Sequence, residues 1–241
     1  MGRAWTIYKK ELKSYYESPI AYIFMVVFLA VAVWVFFRGF FLIGEVSLRG
    51  LFGIIPWLCL FFIPAISMRL WAEERKTGTN ELLFSLPVEE WEVVLGKYLA
   101  ALLVYTVTLL LTLPVAICVS FLGNLDWGVA IGSYVGALFL GAAVLSIGTF
   151  VSSLTTNQIV AFILGVIVVA GLMIVGEPIV TMFIPSSLPW LVPYAQYLGL
   201  AQHFSSIARG VLDTRDFIYY LLLIVFPLYL TINAIRARKV G

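Results

Sequence analysis

Residues 97–121 read KYLAALLVYTVTLLLTLPVAICVSF, and behind Lys97 no residue of the run carries a charge. A helix rises 1.5 Å per residue, so about 20 such residues cross the roughly 30 Å hydrocarbon core of a bilayer. The run is too long and too continuous for a barrel strand, which spans in about ten residues that alternate apolar and polar. It predicts a transmembrane helix. Comparable runs lie near residues 20–38, 50–68, 128–150, 159–176 and 217–235, which gives six predicted spans.

Composition agrees with that reading. Of the 241 residues 62% are hydrophobic and 12% charged, against about 45–50% and about 25% in soluble domains. An aqueous domain of this size cannot hide the surplus, whereas a bilayer can, because each helix satisfies its own backbone. The expected fold class is an all-α membrane protein, a single transmembrane domain over residues 1–241. A net charge of +2 is too small to point to nucleic acid, so its distribution carries more than its sum.

With six spans both termini share one side. That side holds Arg3, Lys9, Lys10 and Lys13, then Arg69, Arg75, Lys76 and Lys97, then Arg236, Arg238 and Lys239. The other side holds only Arg38, Arg49, Arg209 and Arg215. By the positive-inside rule, eleven against four places both termini in the cytoplasm.

Lys9-Lys10-Glu11-Leu12-Lys13 stands where the basic start of a secretory signal would, but the apolar run behind it is too long and no small-residue cleavage site follows. Residues 4–17 read as an interfacial helix. Trp5, Tyr8, Leu12 and Tyr15 fall at i, i+3, i+7 and i+10, with Lys9, Lys13 and Glu17 on the other side. A plain basic flank is the alternative. Ser18-Pro19 then breaks the direction before the first span. Cys59 and Cys118 fall inside spans without a CxxC motif, and both are expected to be buried structural thiols. Pro56, Pro64 and Pro114 are expected to kink spans rather than end them. Gly128, Gly132 and Gly136 form a small-residue stripe suited to close helix packing, within the subunit or across a dimer.

One short connection is large enough to be a contact surface, the charged stretch from Glu73 to Glu92 between the second and third spans. Thr79 and Asn80 suit the N-cap of a short helix whose Leu82, Leu83 and Leu86 form an apolar edge. Pro87 suits the first turn of a second helix, with Glu89, Glu90 and Glu92 near its positive dipole end. Such a knob fits a groove on a cytoplasmic partner; the alternative is a solvated connector.

These residues resemble the ABC-2 type permeases. The resemblance runs through Lys10-Glu11-Leu12, Ser18-Pro19-Ile20-Ala21-Tyr22, Thr77-Gly78-Thr79, Glu81-Leu82-Leu83, Ser85-Leu86-Pro87-Val88, Val94-Leu95-Gly96-Lys97-Tyr98-Leu99 and Ala208-Arg209-Gly210-Val211-Leu212-Asp213. The nearest branch is the gliding-motility-associated permeases. The resemblance implies a permease subunit of the cytoplasmic (inner) membrane that exports a substrate. The loop after the second span would be the coupling helix that seats in a separate ABC ATPase, with Glu73, Glu74, Arg75, Thr79, Glu81, Leu82, Leu83, Leu86 and Trp91 as coupling residues. It also implies a second permease copy or a related permease, since six spans make half of the usual pathway, and it leaves room for a periplasmic or accessory subunit.

Residues 177–215 join the fifth and sixth spans and hold four prolines with Trp190, Tyr194, Tyr197 and Phe204. So apolar a segment lies in or dips into the outer interface. By resemblance it forms short re-entrant helices that close the outer mouth, with Glu177, Trp190, Tyr194, Phe204 and Arg209 as gate residues. Glu177 faces a polar pathway or sits among headgroups. His203 is the chain's one histidine, better suited to a structural role than to metal binding, and no metal is expected.

No GxxxxGK[ST] loop is present, and the one Gly-Lys pair, Gly96-Lys97, leads into a span. ATP and magnesium are therefore assigned to the partner ATPase, and the chain is expected to be neither an enzyme nor a holder of any cofactor. Two other classes compete. A membrane-embedded enzyme needs a metal pair, an activated nucleophile or paired carboxylates at one depth, and a passive channel or scaffold needs a pore-lining polar stripe or filter. Neither signature is visible.

Overall fold

The computed structural model describes residues 3–78, 88–183, 190–211 and 213–239, and among the described residues every regular element is helical. Helix α1 (Arg3–Glu17) precedes α2 (Pro19–Ile43). Ser18, in extended backbone, separates the two, and Pro19 opens α2 where a missing N–H costs nothing. Gly44 closes α2 in the left-handed conformation (φ 69°), its N–H donating to the Phe40 carbonyl at 3.0 Å.

Helix α3 (Arg49–Ser67) runs through Pro56 and Pro64 without ending. Met68 alone divides it from α4 (Arg69–Thr77), so the two form nearly one rod. Helix α5 (Glu90–Leu110) starts earlier than the third predicted span. The acidic residues expected to head a separate short helix head this span: Glu89 is its N-cap, and Glu89 and Glu92 form a reciprocal capping box. At Pro114 the structure departs from a simple kink. The chain turns at Leu111-Thr112 and Pro114 enters the first turn of a new helix, α6 (Leu113–Leu122). Thr112 makes this tolerable, its hydroxyl lying 2.7 Å from the Leu109 carbonyl and 2.9 Å from the Tyr134 hydroxyl.

Helix α7 (Trp127–Leu154) is the central post. Asp126 caps it by accepting from the N–H groups of Gly128 and Val129. It packs against α3, α4, α5 and three later helices: α8 (Gln158–Ile174), α11 (Leu200–Ala208) and α12 (Thr214–Lys239). Every residue from Leu140 to Thr149 is buried. Missing side chains permit that crowding. A Cβ on Gly136 would stand 2.6 Å from Ile207, one on Gly141 2.1 Å from the Tyr105 ring, and one on Gly148 2.1 Å from Ser67 Oγ. Gly136 thus serves packing within the subunit. Between α8 and α12 lie two more short helices, α9 (Pro178–Thr181) and α10 (Leu191–Leu198), before α11.

Five stretches are long and apolar enough to cross a membrane: Ala21–Leu42, Arg49–Thr77, Glu90–Leu122, Trp127–Leu154 and Thr214–Ala237. The fifth predicted span is the shorter apolar helix α8, whose 17 residues reach about 25 Å. It turns Ala161, Gly165, Val169 and Met173 to the bundle and Ile159, Ile163, Ile167 and Ile174 outward. Large apolar side chains likewise cover the outside of α2 and α12. A water-soluble protein does not expose apolar surface on this scale, and a lipid-facing one does. Cys59 is buried as expected. Cys118 is exposed, because α6 turns Val115, Ala116 and Val119 to the bundle instead.

Candidate functional site

The structured charges gather at the end of the bundle where α1 and α4 lie, here the basal end. Helix α1 buries Ile7 and Tyr15 and half-buries Glu11 between them, a face at i, i+4, i+8. This differs from the expected aromatic stripe. Tyr15 belongs to both faces, but Trp5 stays half exposed and stacks on Tyr8 instead. The face is chosen by α5, where Gly96 admits α1 closely: a Cβ there would sit 2.9 Å from Ile7 Cγ2 and 3.0 Å from the Ala4 carbonyl oxygen.

That approach seals in Lys97, which is 1% exposed. Its ammonium donates to Glu11 of α1 at 3.0 Å and pairs with Glu74 of α4 at 2.7 Å, and it lies 5.2 Å from the centre of the Trp71 ring. A buried cation needs such partners, because removing it from water costs several kcal/mol in order of magnitude. One side chain therefore joins α1, α4 and α5.

The α3–α4 junction is bracketed by α7. Ser152 Oγ donates to the Met68 carbonyl at 2.9 Å and accepts from the N–H groups of Trp71 and Ala72. Arg75 donates to the Ser153 and Thr155 carbonyls at 2.9 and 3.0 Å, placing a cation on the negative end of α7. Arg69 donates to Ser18 Oγ at 2.8 Å and to Glu73 at 3.1 Å. The Glu73 side chain is 44% exposed, so that pair is worth about 0.5 kcal/mol or less. Tyr15 donates to the Ile66 carbonyl, and burial, reinforced by Glu11, pushes its phenol well above the ordinary range. It remains a donor at any physiological pH.

Of the coupling residues expected from sequence, Glu73, Glu74 and Arg75 meet in this network, while Trp91 is exposed at the start of α5 and donates to Glu89. Thr79, Glu81, Leu82, Leu83 and Leu86 lie outside the described residues. Sequence reading missed Glu11, Lys97 and Ser152. Lys97 stood next to a helical glycine, a local signal of close approach, but its partners are far away in the chain.

At the opposite, distal end, three expected gate residues meet. Glu177, Phe204 and Arg209 line a cavity of about 350 Å³ between α3, the end of α8 and α11, together with Arg49 and Trp57. Trp190 and Tyr194 are not part of it. They are exposed and pair edge to face with each other, 6.2 Å between ring centres. Both ring nitrogens of His203 have protein partners: Nδ1 lies 2.6 Å from Asp216 Oδ1 and Nε2 2.8 Å from the Tyr197 carbonyl oxygen. A carbonyl only accepts, so Nε2 is the donor in that contact. The imidazole also stacks on Tyr219 at 3.9 Å. The pair fastens α11 to the first turn of α12.

The fold and its two ends define a multi-pass helical membrane protein. Its sequence matches the ABC-2 family transporter protein family over residues 39–238, and the chain belongs to that family. It is a permease-type transmembrane component of an ABC transporter, and the family implies an ABC ATPase as partner. A comparison with curated proteins finds no match.

Proposed function

We propose that this chain is the permease subunit of an exporter in the cytoplasmic (inner) membrane, with six spans, both termini and the basal end in the cytoplasm. A separate ATPase binds ATP and magnesium and drives it. A second copy or a related permease completes the pathway. The observation that carries this reading is the basal clasp. Lys97 ties α4, which leads into the segment expected to touch the ATPase, to α5, which leads out of it, and to α1. Ser152 and Arg75 tie the same α4 to the central post.

A load applied between residues 79 and 87 would therefore pass through α4 and α5 into α1 and the basal end of α7 as one rigid body, instead of bending a loose loop. The concentration of Arg69, Arg75, Lys97 and Arg236 at this end agrees with a cytoplasmic orientation. Leu82 and Leu83 are assigned the apolar anchor in the ATPase. Replacing both with alanine removes about 3 kcal/mol of burial, roughly two orders of magnitude in docking. The double variant should insert and fold, yet lose the ATPase on purification. Wild-type ATPase retention with wild-type transport would reduce the segment to a connector.

A further inference from the structure

We propose that the distal cavity between α3, α8 and α11 binds an amphiphile with an anionic headgroup, held by Arg49 and Arg209. Both arginines are exposed on its rim, and among the described residues neither has a carboxylate in ion-pair contact. Arg209 is oriented by its Nε, which donates to the Ser205 carbonyl at 3.1 Å. The remaining guanidinium hydrogens stay available for a planar, charged acceptor such as a phosphate or carboxylate. Glu177 is the one acid among the residues lining this cavity, so two cations face one anion within it, while Arg49 also borders a neighbouring cavity that holds Glu45 and Asp126.

Beneath the rim the chemistry changes. Phe52, Pro56, Met173 and Phe204 are buried walls, and the half-exposed Trp57 forms a side. A free anion has no use for an apolar floor, whereas an amphiphile uses both parts. The volume of about 350 Å³ lies within the range of small-molecule sites. The space is also unclaimed by the fold, since a Cβ on Gly53 would meet nothing within 4 Å. The chemistry assigned to the cavity stands on these residues. That the amphiphile is cargo, met at the outer end of its route, rests on the permease reading above.

The test uses the full chain purified with its ATPase in detergent. Dioleoylphosphatidylglycerol, dioleoylphosphatidylcholine and inorganic phosphate are titrated as separate probes, and bound lipid is counted by native mass spectrometry. Each cation near an anionic headgroup is worth about a factor of five, so Arg49→Gln with Arg209→Gln should weaken phosphatidylglycerol binding about thirtyfold. Gly53→Leu, which fills the cavity from an open helix face, should abolish one bound lipid per chain without lowering thermal stability. Arg215→Gln, an exposed distal arginine outside the cavity, should change nothing. Equal phosphatidylglycerol binding by the double variant and by Gly53→Leu overturns the proposal, as does phosphatidylcholine binding equally well. Displacement of the lipid by millimolar inorganic phosphate would reassign the site to soluble anions and overturn it too. Failure here with the ATPase still bound sinks the cavity alone, whereas lipid binding without any ATPase sinks the permease reading alone.

Discussion

Replacing Lys97 with methionine removes the clasp charge while keeping the stem that packs under Trp71. In wild type the ammonium sits 3.0 Å from Glu11 and 2.7 Å from Glu74, and the lysine is 1% exposed. Removing one partner from a fully buried pair costs about 3–5 kcal/mol. Here both carboxylates keep some access to water, with side chains 14% and 18% exposed, which lowers the cost to about 2–3 kcal/mol. By comparison Lys13–Glu17, with side chains 75% and 67% exposed, should be silent when broken. Reversible unfolding in mixed detergent and SDS micelles measures the loss, and limited proteolysis reports whether α1 has detached from α5. Adding Glu11→Gln should recover a large share, because like charges no longer face each other. A Lys97→Met variant as stable as wild type, with α1 equally protected, would refute the clasp.

Gly141→Ala forces a methyl to within 2.1 Å of the Tyr105 ring; strain of about 1–3 kcal/mol should outweigh the helix gain of about 1 kcal/mol, and a stabilised variant in the same unfolding assay would contradict the packing. Ser152→Ala leaves the Met68 carbonyl and two N–H groups at the α3–α4 junction without their partner, so it should cost about 1–3 kcal/mol and raise hydrogen exchange at Trp71 and Ala72; unchanged exchange there would count against the bracket. In a background lacking Cys59 and Cys118, Lys76→Cys should react with an impermeant maleimide only from the cytoplasmic side and Arg215→Cys only from the outside. Labelling of both from one face would break the assigned orientation.

Five of the predicted spans were legible because uninterrupted apolar length is a local property, and the break at Ser18-Pro19 because proline acts locally too. The start of α5 was misread for a related reason. Glu89, Glu90 and Glu92 signalled a helix N-terminus correctly, but nothing local said that this helix continues through Lys97 into the membrane. A lysine beside an apolar run reads as a flank, and its burial depends on Glu11, 86 residues away. The expected fate of Cys118 failed because hydropathy gives a residue's depth without saying which side of its helix meets lipid. Gate residues chosen by resemblance divided for the same reason: Glu177, Phe204 and Arg209 share a cavity that Trp190 and Tyr194 do not reach. Arg49, counted only as a charge for topology, joins them through the direction in which α3 begins.

The central claim is that this chain transmits work done by another subunit, and the composition of the purified native assembly tests it most directly. The tagged wild-type chain, extracted from its own membranes, should carry a phosphate-loop ATPase in one-to-one ratio and show ATP hydrolysis that disappears when that subunit is stripped away. A folded chain that arrives with no nucleotide-binding subunit, or that hydrolyses ATP by itself, would contradict the account.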